Sequence, residues 1–217
     1  MKMRAVYSVS KRLRHVGHLD LMRLMHRALR RSGIPVAYSS GYNPHILLSL
    51  AAPLNVGMAG DREVMDVQLS EVITEKEFVQ ELNNSLPEGV RILSASKRDD
   101  KHPAAMSQLF AAQIRYDFLS PADSILSNVD AFMQRESIMS KRKSKKGMVE
   151  YDMRPLIYAL SVNDGALYAL LSLSSKGTLK PASLIEELSS FAGVPIPQYI
   201  AVRTALYADK FIPLEEA

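Results

Sequence analysis

Cysteine and tryptophan are absent from the 217 residues. Without cysteine the chain can form no disulfide, hold no thiolate-bound metal or iron–sulfur cluster, and use no sulfur nucleophile. Long apolar runs are missing as well: none approaches the ~20 residues that cross a bilayer. The opening MKMRAVYSVSKRLRH contains no apolar stretch of the kind that marks a signal peptide. A cytoplasmic protein with no membrane partner is therefore expected. Neither an HExxH pair nor a GxxxxGK[ST] loop occurs, so no metal and no cofactor are assigned.

Acid is scarce where base is plentiful. Residues 1–45 carry nine Lys/Arg and a single acid, Asp20, a balance of +8. Residues 46–110 carry six against ten, or −4, and the remainder carries twelve of each, so the overall +4 hides a basic opening segment. A second basic run is KRKSKK, Lys141–Lys146. Two separated basic segments point to an anionic partner, most plausibly nucleic acid. Hydrophobic residues at 47% and charged residues at 23% are an ordinary globular balance, and the length suits one large domain or two small ones.

The patterning alternates between two periods. MRAVYSV reads as a strand, and residues 18–32 as an amphipathic helix stopped by Gly33 and Pro35. VAYSS and ILLSLAAPL are extended runs flanking the turn signal GYNPH, and Arg62–Ile73 alternates as a strand. Thr74 and Glu77 form a capping box ahead of a helix, and VRILSASK follows as a strand. Lys97–Gln108 reads as a linker. The grammar then repeats: FAAQIRYDFL as a strand, then one helix capped by Ser120 with Pro121 in its first turn. MVEYDMRPLIYALSV and ALYALLSLSS form a hairpin about Asn163-Asp164-Gly165. A helix from about Pro181 to Gly193 and the strand YIAVRTALYA close the chain. The order predicts an α+β protein of two tandem ferredoxin-like (split βαβ) modules, residues 1–100 and 110–217.

HLDLMRLMHRALRRSGIPVAYSSGYNPH, then SLAAPLNVG and EVMDVQL, resembles the radical SAM-linked proteins, a bacterial family without an assigned biochemical function. KKG…YDMRPLI and KGTLKP extend the similarity over most of the chain. Family members usually carry proline after the NPH histidine, where this chain has Ile46, so the turn after His45 departs from the pattern. The resemblance implies a partner of a radical SAM enzyme in the modification or processing of structured RNA, tRNA or rRNA. The chain has no Cys-x-x-x-Cys-x-x-Cys triad of its own.

The residues offer three candidate sites. His18, Asp20 and His45 are candidates for acid/base work or for hydrogen-bonding a phosphate, or else fix a helix start and a turn. Arg23, Arg27, Arg30 and Arg31 fall along one helical stripe with no acid at i±4, a surface that attracts phosphates or is simply solvated. Tyr42, with Tyr38, could stack on bases or fill a strand position. Lys141, Arg142, Lys143, Lys145 and Lys146 form a basic loop, at the end of a β-hairpin or above the second sheet. SSKGTLKP sets lysines ahead of a helix N-terminus, while Arg154 and Arg203 are candidates for buried arginines paired with Asp152 or a neighbour. The favoured expectation is a non-catalytic RNA-binding accessory protein. The alternatives are a metal-independent endoribonuclease resembling CRISPR repeat-processing enzymes, and a protein–protein scaffold whose arginines meet an acidic surface.

Overall fold

Strand alternation starts at the second residue, and the first strand runs β1 (Lys2–Val9). The computed structural model describes residues 1–144, 147–175 and 177–217. In chain order the further elements are α1 (His18–Arg31), β2 (Leu48–Leu50), β3 (Met58–Gln68), α2 (Glu75–Ser85), β4 (Val90–Arg98), α3 (Ala105–Gln108) and β5 (Ala111–Phe118). They continue with α4 (Asp123–Ser127), α5 (Val129–Met133), β6 (Met139–Ser144), β7 (Gly147–Asp152), β8 (Ile157–Asn163), β9 (Ala166–Ser174), β10 (Gly177–Thr178), α6 (Pro181–Ala192) and β11 (Tyr199–Tyr207). The fold is mixed α+β, with few helices. Two compact units emerge: residues 1–109 together with 203–217, and residues 110–202. The closing residues 203–217, which the sequence places in the second module, thus cluster with the first unit.

In the first unit the antiparallel order is β4-β1-β3-β2. Lys2–Tyr7 pairs with Gln68–Glu63 on one side, and Lys2–Val6 with Arg98–Ser94 on the other. α1 buries Leu21, Met25, Ala28 and Leu29, and α2 buries Phe78 and Leu82. The capping box is present: Glu77 N donates to Thr74 Oγ1 at 3.1 Å, and Thr74 N donates to Glu77 Oε2 at 2.9 Å. VAYSS forms no continuous strand; Val36 and Tyr38 make isolated bridges to Leu69 and Ile46.

The expected linker at 97–108 is instead a strap held by buried charge. Arg4, 1% exposed, is bonded bidentately to Asp66, at 2.9 Å from Nε and 3.3 Å from Nη2. Its remaining donors reach Pro103 O, Gln108 Oε1 and Leu214 O, while Asp66 also accepts from Ala105 N. A guanidinium and a carboxylate placed inside a core must have their lone pairs and protons taken up, and this segment supplies the partners. A second knot joins Arg203 to Glu63 at 2.8 Å from Nε, with Arg203 Nη1 donating to Pro53 O at 3.1 Å. Tyr7 lies against it, its hydroxyl pushed well above the ordinary phenol range by burial and then by the Glu63 charge.

In the second unit β8 and β9 are joined by Asp164 (φ 49°) and Gly165 (φ 73°), the positive-φ pair a two-residue hairpin requires. β9 also pairs with β5, which has β11 as its other neighbour. The single helix expected after Ser120 is two short ones broken at Asn128. Ser120 Oγ accepts from Gln198 N, 78 residues away, at 2.9 Å rather than capping, and at the break Asn128 Nδ2 donates to Ser124 O at 2.7 Å. MVEYDMRPLIYALSV is likewise two strands. Asp152 Oδ1 accepts from Arg154 N at 2.9 Å, Pro155 follows, and the chain turns from β7 into β8. β7 pairs with β6 as a separate two-stranded ribbon. Arg154 spends its side-chain donors on the carbonyls of Met133, Arg135 and Ile157.

Candidate functional site

The geometry of α1 follows from its sequence. With Leu21, Met25, Ala28 and Leu29 facing the core, Arg23, Arg27, Arg30 and Arg31 are carried to the exposed side. The four are not equivalent. Arg23 Nη1 is bonded to Asp20 Oδ1 at 2.9 Å, so the stripe does have an acidic neighbour, at i−3 rather than i±4. Both side chains are more than 60% exposed, and a pair this solvated contributes little to stability. Arg31 Nη2 donates to Ser85 O at 2.7 Å. Arg27 and Arg30 are exposed, and no hydrogen bond or ion pair engages them among the described residues.

The turn 39–45 is closed on itself. Ser39 N donates to His45 O at 2.9 Å, His45 N donates to Ser39 Oγ at 3.1 Å, and the Ser39 hydroxyl and His45 Nδ1 are 2.8 Å apart. Ile46 anchors the root of the turn at 0% exposure. Its tip, Tyr42, is fully exposed, and Tyr38 is half-exposed.

Beside the expected trio, α1 carries a further histidine, His26. His26 Nε2 is buried and unpartnered. Burial first, then the electrostatic effect of nearby Arg30 and His45, holds its imidazole below the ordinary histidine range. His18 Nδ1 is also buried and unpartnered, Asp20 is turned to Arg23, and His45 to Ser39. No hydrogen bond joins His18, Asp20 and His45 to one another among the described residues. The sequence signal for His26 was its place four residues before Arg30, one helical turn away. Among the described residues no group of three or more His, Asp or Glu side chains could hold a metal ion.

The second basic segment is largely self-engaged where it is described. Lys141 Nζ lies 3.3 Å from Glu150 Oε1, and the Arg142 guanidinium sits 5.1 Å from the centre of the Tyr151 ring. Lys145, Lys146 and Lys176 lie outside the described residues, as does the side chain of Lys143.

What the fold and this surface define is an α+β protein with a basic, aromatic-tipped helix-and-turn face. Residues 2–181 match the family described as an uncharacterized protein conserved in bacteria (DUF2344), and the chain belongs to that family. No curated protein matches the chain. Among the described residues no helix is long and apolar enough to cross a membrane.

Proposed function

We propose that this chain is a non-catalytic RNA-binding accessory protein that works with a radical SAM enzyme in the modification or processing of tRNA or rRNA. The observation that carries the reading is the pair of unpartnered, exposed guanidiniums of Arg27 and Arg30 on α1, within a segment whose charge balance is +8. Phosphates satisfy such groups, and each one neutralised releases counterions and steepens the salt dependence of binding. The enzyme partner rests on the resemblance of the HLD…YSSGYNPH segment alone. The strand order β4-β1-β3-β2, with α1 and α2 as crossovers, supports a ferredoxin-like arrangement of the first module. The neighbour order β8-β9-β5-β11 supports the same for the second.

Binding of total tRNA and of rRNA fragments across a salt series tests the proposal. The wild type is expected to bind with a steep negative slope in log salt, and Arg27→Glu with Arg30→Glu to lose it. A flat slope in the wild type, or an unchanged slope in the variant, overturns the reading.

A further inference from the structure

We infer that the turn 39–45 presents Tyr42 as a stacking platform for one unpaired base, so that the RNA bound at this face is single-stranded where it meets the turn. The inference rests on the RNA reading above and narrows it to a substrate class. Tyr42 is the most exposed of the large hydrophobic side chains, at 110% of its reference area, and it makes no hydrogen bond, ion pair or ring contact among the described residues. A ring on a loose loop could be left in water without consequence. This turn is not loose: three hydrogen bonds between Ser39 and His45 close it, the Tyr38–Ile46 bridge closes it again below, and Ile46 is wholly buried. Gly41, at φ +116°, reverses the chain immediately before the tyrosine. An aromatic plane is thus held out on a closed scaffold, which lowers the conformational cost of placing a second ring on it.

The surroundings match a nucleotide. His45, at the root of the turn, and Arg30 on α1 both lie near enough to His26 to act on its charge. The exposed Arg30 guanidinium offers a cation for phosphate and the exposed Tyr42 ring a π-surface for a base. In a duplex the base faces are covered by their neighbours, and only an unstacked base can lie on a side chain.

Fluorescence anisotropy with end-labelled oligouridylate, and with the same strand annealed into a duplex, tests this. The single strand is expected to bind more tightly than the duplex. Tyr42→Ala should weaken single-strand binding by about five-fold or more, and Tyr42→Phe should retain it. Because the ring carries no charge, the salt slope of Tyr42→Ala should equal that of the wild type, whereas Arg30→Gln should flatten it. Salt-dependent binding that is indifferent to Tyr42→Ala, or as tight for the duplex, overturns the stacking inference and leaves the RNA reading standing. Absence of salt-dependent binding of either RNA overturns both, as does preference for a polyglutamate peptide over RNA.

Discussion

Replacing Arg203 by alanine removes a guanidinium that is 4% exposed and leaves Glu63, 1% exposed, facing a void. Four contacts go at once: the two to the Glu63 carboxylate, one to Pro53 O and one to Ala52 O. A buried charge deprived of its counter-ion costs about 3–5 kcal/mol. With a urea dependence of about 2 kcal/mol per molar, that loss lowers the unfolding midpoint by about 1.5–2.5 M. Circular dichroism across a urea series, at neutral pH, reads the shift. Arg203→Met combined with Glu63→Leu should recover most of it, since the desolvation penalty disappears with both charges. Arg203→Lys should fall between, because an ammonium keeps the charge but not the two-pronged geometry. A midpoint for Arg203→Ala within about 0.5 M of wild type would refute the reasoning that this pair is satisfied only by its partner.

Thr74→Ala removes the hydroxyl that accepts from Glu77 N and should cost about 1 kcal/mol in a urea titration, with Ser largely rescuing it. His26 titrates below the ordinary value of 6.5 in the fold, so the unfolded chain takes up its proton first as pH falls through 6.5. The stability present above that pH should therefore be lost progressively below it, and His26→Gln should flatten the urea midpoint against pH between neutrality and mild acid. Parallel pH curves for the two proteins contradict this. Tyr116→Phe deletes the donor to Pro181 O at 2.9 Å and should lower stability by about 1 kcal/mol, again by urea midpoint, with no cavity formed.

Local signals read from the residues alone survived where the interaction is local. Thr74 and Glu77 face each other across one helical turn, and Asp164-Gly165 supplies the positive φ its hairpin needs; neither depends on distant chain. The order of strands and helices was legible for the same reason, through periodicity. Long-range partners were not. Asp66 sits in EVMDVQL as one polar residue of an alternating strand, and nothing nearby announces that Arg4, 62 residues earlier, would claim it. The linker reading of 97–108 failed there: polar composition suggested solvent, whereas those residues cover a buried ion pair. Ser120 looked like a helix cap until Gln198, 78 residues away, took its hydroxyl. At the candidate site the arginine stripe was visible from spacing, but its division into engaged and unengaged members was not. That division depends on Asp20 adopting an i,i+3 contact and on the Ser85 carbonyl reaching Arg31.

The bond from Arg4 to the main-chain oxygen of Ala217 spans 213 positions, and Arg203 meets Glu63 across 140. As the polypeptide leaves the ribosome, Arg4 meets its carboxylate Asp66 early, but Glu63 waits without its counter-ion until residue 203 emerges. A carboxylate made early is thus matched late: a nascent chain halted before residue 203 carries Glu63 without the guanidinium that later closes over it.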